Sequence, residues 1–185
     1  MPLPEPVKRK QLHIRTIEMN GYSREDGLFD IDGRLTDIKT EEFVTESSRV
    51  VPAGEPLHDM RIRLVFDKDL HVHDVVAVTD ASPHPVCREA TLFLERLKGL
   101  RMSGGWRAAI GERLAGEEGC AHLKELLNVM ASAAYQSLTT MRKNNPMPAG
   151  VGNERPKKLD SCLAYSSRGP LVMKKWPQFF TGGPR

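Results

Sequence analysis

The chain has 185 residues, of which 39% are hydrophobic and 28% charged, the usage of an ordinary globular protein, and it is long enough for one domain with a real core plus extensions. No apolar run reaches the length of a membrane span, and the opening MPLPEPVKRKQ lacks a secretory hydrophobic segment, so neither a membrane nor a secreted protein is indicated and the cytoplasm is the expected location. A net charge of +3, with the basic clusters Lys8-Arg9-Lys10, Lys157-Lys158 and Lys174-Lys175 near the ends, argues against nucleic-acid binding; three widely spaced cysteines argue for reduced thiols.

Residues 1–10 read as a flexible arm rich in Pro and Lys. QLHIRTIEM alternates over Leu12, Ile14 and Thr16, and GLFDIDGRLTDIK sets Phe29, Ile31, Gly33 and Leu35 against Leu28, Asp30, Asp32 and Arg34. Both predict strands with one wet face, joined as a meander through the turn residues of NGYSREDG. Residues 40–56 read as an irregular polar connector. HDMRIRLVF then places Met60, Ile62, Leu64 and Phe66 on one face with Arg61 and Arg63 on the other, and LHVHDVVAVTD places Val72, Val76 and Val78 on one face. The short DKD between them predicts an antiparallel hairpin.

From Pro83 the period becomes helical, with Val86, Ala90, Phe93, Leu94 and Leu97 on one stripe and Gly99 as the stop. A second helix is expected from about Trp106 to Leu114. A third runs from Cys120 to about Lys143, its stripe made of Leu123, Leu126, Leu127, Met130, Ala134, Leu138 and Met141. Residues 144–156 read as a linker, and residues 157–185 as a tail that docks on the domain through Leu171, Val172 and Trp176, ending in TGGPR, which need not be ordered. Strands first and helices after predict an α+β class, with residues 11–143 forming a single domain in which an antiparallel sheet is packed by about three helices.

No phosphate-binding glycine loop, serine elbow or HExxH pattern is present. The candidate chemistry sits at element ends: His58 and Asp59 at a strand start, His84 and Cys87 at one helix start, Cys120 and His122 at another, and Cys162 in the tail. A cysteine at a helix start feels the unsatisfied amides and the positive end of the dipole, which favour thiolate over thiol. Such a thiolate ligates a metal, carries a persulfide or attacks an electrophile. Two residues apart in a helix is about 200°, so Cys120 and His122 share a site only if Cys120 lies outside the helix proper. The competing reading is a core thiol extending the stripe of Leu123, Leu127 and Met130. Cys87, in line with Ala90, Leu94 and Leu97, reads as core. His71 and His73 read as exposed strand residues, and Asp26, Asp30, Asp32 and Asp37 as a solvated acidic face without calcium-loop spacing.

The runs GYSREDGLFDIDGRLTDIK, PLHDMRIRLVFD, GCAHLKELL and LDSCLAYSSRGP…WP together resemble a bacterial family without assigned activity, domain of unknown function 2889, over about Leu12 to Pro177. That resemblance implies a bacterial origin and a shared fold. In layout, residues 57–140 are also similar to the iron–sulfur scaffold proteins of the NifU-like type. Cys120-Ala121-His122-Leu123 fits their final Cys-x-x-Leu, Cys87 falls near their middle cysteine, and Asp59 fits their acidic ligand. His58 stands where the first cysteine would be, and Gly119 where a histidine would precede the last one. This likeness implies a NifU-like arrangement with His58, Asp59, Cys87 and Cys120 gathered in space and His122 or Cys162 in reserve.

The leading expectation is therefore a metal- or cluster-binding accessory module holding zinc or an iron–sulfur cluster. One alternative is a non-catalytic adaptor for a protein partner, with Trp106, Trp176 and the docked tail as its surface. The other is a thiol enzyme or persulfide carrier in which Cys120 reacts, His122 or His58 is its base, and Asp59 orients the base.

Overall fold

Alternating patterns in the first half of the chain become strands in the computed structural model, which describes residues 2–144, 155–156 and 158–182. Strands β1 (His13–Ser23) and β2 (Phe29–Lys39) form the meander. The expected irregular connector contains a small ribbon, β3 (Phe43–Val44) with β4 (Val50–Val51). Strands β5 (Pro56–Phe66) and β6 (Val72–Ala81) form the hairpin, and the antiparallel sheet has the order β1-β2-β5-β6. With helices following the sheet, the class is α+β.

The inner faces of β2 and β5 follow the sequence pattern: Phe29, Ile31, Leu35, Met60, Ile62, Leu64 and Phe66 are all buried. Two faces differ from expectation. Leu12, just before β1, and Ile14 within it are exposed, and it is Ile17 and Met19 that pack on the core. The pairing explains this, since Ile17 lies opposite Leu35 and Met19 opposite Gly33. On β6, Val76 and Val78 point outward, while Val72 and Val75 are buried. A bulge between Val65 and Phe66 pairs Phe66 with Val72 but Val65 with Asp74, and one extra residue reverses the parity of everything beyond it.

The β5–β6 loop is held by Asp67. Its carboxylate accepts the backbone N–H of Asp69 at 2.8 Å and of His71 at 3.0 Å, and lies 3.1 Å from His73 Nε2. His71 and His73 are exposed, as expected. Burial alone would raise the Asp67 pKa, but the His71 amide, the His73 ring and the Asp69 amide bring it down to about 2. A carboxyl depressed in the folded state stabilises above its unfolded pKa, ordinarily 3.8, and that contribution is lost as pH falls toward 2. Asp67→Asn is expected to cost about 1 kcal/mol at pH 7, with the deficit closing between pH 4 and pH 2, as measured by urea unfolding across that range.

The helical layer begins with Pro85–Leu97, which is a 3-10 segment that buries Leu94 and Leu97 and leaves Val86 exposed. It turns at Gly99, whose φ of 81° suits glycine. Two α-helices follow, α1 (Trp106–Arg113) and α2 (Ala121–Asn144). Helix α2 buries Leu123, Leu126, Leu127, Met130, Ala134 and Leu138 in the same core as the sheet, while Met141 stays exposed. Trp106 is 5% exposed and its indole N–H donates to the Leu127 carbonyl at 2.9 Å, so it is a core residue and not part of an adaptor surface.

Two glycines let α2 lie close on the sheet. A Cβ on Gly33 would stand 3.1 Å from Met130 Sδ and 3.2 Å from Leu126 Cδ1, and one on Gly21 would stand 1.9 Å from Ser137 Oγ. Helix α2 therefore passes along the sheet with Ser137 over Gly21 and Met130 over Gly33. Its first turn reaches the end of the sheet that carries Arg15, which is bonded to Glu125.

The chain divides into two units, Met1–Lys143 and Asn144–Arg185. The described part of the second has 3-10 turns at Leu163–Tyr165 and Pro177–Phe179 around a short helix, α3 (Pro170–Lys175), with Val172 buried and the Tyr165 and Trp176 rings 5.8 Å apart. The linker expected at 144–156 lies largely outside the described residues, as do the last residues of TGGPR. Among the described residues, no helix is long and apolar enough to cross a membrane.

Candidate metal centre

The inward row of β2 does not stop at Leu35. It continues to Asp37, which lies opposite His58, the inward residue of β5 that precedes Met60, and opposite Arg15 on β1. The last rung of an otherwise apolar sheet face is thus Arg15, Asp37 and His58. The N-terminal end of α2 adds His122 and Glu125 to this rung.

Asp37 is 2% exposed. The Arg15 guanidinium grips it with both prongs, Nε to Oδ1 at 2.8 Å and Nη2 to Oδ2 at 2.7 Å, and His13 Nε2 lies 2.8 Å from Oδ1. Burial pushes the carboxyl upward, but Arg15 and His13 outweigh it and hold Asp37 at about 2, so it is ionised at neutral pH. Arg15 also bonds Glu125 at 2.5 Å.

His58 is 9% exposed. Its buried Nδ1 lies 3.0 Å from Asp37 Oδ2 and has no other polar partner. Burial first, and the neighbouring His122 second, push His58 down to about 4 against the pull of Asp37. It is therefore a neutral imidazole at pH 7. The ring of His122 lies over it, centroids 3.8 Å apart, with Nε2 3.7 Å from the same Asp37 oxygen. The three ligand atoms of Asp37, His58 and His122 lie within 4.8 Å of one another, and among the described residues they are the one such group of three.

Cys120 lies just outside α2, which begins at Ala121, and its carbonyl accepts the Lys124 N–H. From there its Sγ comes within 3.9 Å of His122 Nδ1, the ring nitrogen turned away from Asp37. Burial would raise the thiol pKa, but His122 and the Leu123 amide outweigh it and lower it. The residue also packs on the core, as the core-thiol reading expected.

Of the expected ligands, the structure brings His58, Cys120 and His122 together. Asp59 follows His58 in a strand and so faces the other side of the sheet, where Arg34 binds it in a fork at 2.9 and 2.7 Å. Cys87 is half-buried in the 3-10 segment and takes no part in the group, and Cys162 is exposed in the second unit. The reading of Asp37 as part of a solvated face is overturned by its burial. Asp32, by contrast, does lie on the outer face, paired with Arg63, and Asp26 pairs with Arg24 in a turn. Asp37 has the same parity as Leu35, a signal available in the sequence. His13 and Arg15 had been hidden by the inverted reading of β1.

Fold and site define a class: an α+β sheet protein with a carboxylate–imidazole group buried at the sheet end beneath a helix start. The chain belongs to the protein of unknown function family DUF2889, whose match runs over residues 13–136 and includes every residue of this group. No curated protein and no solved structure matches the chain, so the NifU-like likeness gains no support from comparison.

Proposed function

We propose that this protein binds one divalent transition-metal ion, zinc by preference, through Asp37 Oδ2, His58 Nδ1 and His122 Nε2. The observation that carries the reading is the convergence of these three ligand atoms within 4.8 Å of one another at a rung where Asp37 and His58 are buried. Tetrahedral zinc with ligands at about 2.1 Å needs donor atoms about 3.4 Å apart. The two distances from Asp37 Oδ2, 3.0 and 3.7 Å, straddle that value.

Arg15 and His13 would then act through Asp37, fixing the carboxylate's orientation, and Cys120 would act through His122 by receiving its Nδ1–H. A single ion suits this donor set better than an iron–sulfur cluster, because clusters are held chiefly by thiolates and no cysteine is among the three donors. The test is elemental analysis and zinc titration on protein purified without a metal-affinity tag. Near one zinc per chain is expected for wild type and for Cys120→Ser, with loss in His122→Ala. A metal-free wild type that takes up no zinc rejects the reading. Loss of zinc in Cys120→Ser equal to that in His122→Ala would make the thiol a ligand and reject this assignment.

A second reading, thiol chemistry, is favoured by the lowered Cys120 thiol and by His122 lying between it and Asp37, which takes the orienting place first expected of Asp59. It predicts that metal-free protein alkylates at Cys120 well before Cys87 or Cys162. Equal, slow labelling of all three excludes it.

A further inference from the structure

We infer that the loaded centre is coordinatively open and takes a small oxyanion, a carboxylate or a phosphate, in its fourth position. The inference rests on the metal reading above and concerns what the ion would present to solvent. Three protein donors leave a tetrahedral ion one position short, the arrangement of catalytic and not of structural zinc. No further histidine, cysteine or carboxylate among the described residues joins the group. His13, the nearest candidate, already has its Nε2 against Asp37 Oδ1.

The surroundings of the group are buried on one side and open on the other. Asp37 and His58 form a buried floor, whereas the side chains of His122, Arg15, His13 and Glu125 are 26, 32, 37 and 45% exposed and form the rim. Charge then selects the ligand. The ion pairs around the group set two carboxylates, Asp37 and Glu125, against one guanidinium, Arg15. A divalent ion added to that set leaves net positive charge in a partly desolvated site, where charge interactions are strengthened.

Arg15 supplies the second contact. Two of its nitrogens are committed to the buried Asp37, but Nη1 is engaged only with the half-exposed Glu125. A surface pairing of that kind contributes little and exchanges readily. An oxyanion that places one oxygen on the metal and another on Arg15 Nη1 displaces Glu125 and matches the guanidinium's preference for planar oxyanions and phosphates.

The test uses cobalt(II) in place of zinc, since its visible absorption reports coordination. Metal-free full-length protein is loaded with cobalt and titrated separately with acetate and with inorganic phosphate. Saturable spectral change is expected in at least one arm, and the tighter arm identifies the class of anion. Glu125→Gln, which frees Arg15 without touching a ligand, should bind the same amount of cobalt and tighten the anion by about two- to fivefold. Failure to take up cobalt overturns the metal reading and this inference with it. Cobalt uptake with a spectrum indifferent to both anions overturns this inference alone, showing a closed centre. An anion response unchanged in Glu125→Gln overturns the part given to Arg15.

Discussion

His58→Ala is expected to lower zinc affinity by at least about 100-fold while leaving the metal-free protein close to wild type in stability. The two halves of this expectation have one cause. In the metal-free protein the imidazole is a buried polar ring held only against Asp37, so its removal gives up packing and that contact but also relieves the desolvation of a polar group, and the effects oppose each other. With metal present its Nδ1 is a ligand. Zinc at about 100 times its dissociation constant should stabilise wild type by about 2.7 kcal/mol and His58→Ala hardly at all. The measurement is thermal or urea unfolding of both proteins with and without zinc. Equal stabilisation of both by zinc would show that the ion binds elsewhere. A loss of several kcal/mol in the metal-free variant would make His58 a packing residue first.

The other large effect is expected at Gly33. Its inward direction is filled by Met130 and Leu126, so Gly33→Val forces side chains between β2 and α2. Overpacking of this kind costs about 1–3 kcal/mol. The consequence reaches the metal centre, because the helix that Gly33 admits is the one that carries His122 to Asp37. Gly33→Val should therefore lose both stability, by urea unfolding, and zinc affinity, by titration, with Gly33→Ala intermediate in both. A valine variant as stable as wild type would mean that α2 is not seated as described. A variant that is destabilised but binds zinc normally would separate the helix's seating from the site.

How legible the site was depended on neighbours in the chain. Cys120 and His122 could be placed at a helix start from the change of period alone, and the condition for their meeting, Cys120 outside the helix, is met by a helix that begins at Ala121. The pairing of His58 with Asp59 as joint ligands could not hold in a regular strand, since adjacent residues face opposite sides. Asp37 was obscured by three other aspartates nearby, although only it shares the parity of Ile31 and Leu35. A buried aspartate also runs against the usual behaviour of that residue, and the fork of Arg15 together with His13, both across the strand, makes its burial tolerable.

The order of the four long strands and the two α-helices, the apolar inner faces of β2 and β5, and the buried stripe of α2 from Leu123 to Leu138 were determined by sequence alone, because each depends on a periodicity that one segment carries by itself; the β3–β4 ribbon and the 3-10 form of Pro85–Leu97 were not. The inward faces of β1 and β6 were decided by tertiary structure. Strand β1 has apolar residues of both parities, and pairing with β2 chose Ile17 and Met19 over Ile14; in β6 the bulge opposite Val65 and Phe66 turned Val76 and Val78 outward. The candidate site belongs to the same category. Its members come from β1, β2, β5 and α2, and what unites them is cross-strand register together with the close approach of a helix over Gly33 and Gly21. Neither register nor helix approach is a property of any single segment, so their outcome exists only once the sheet has paired and the helix has settled on it.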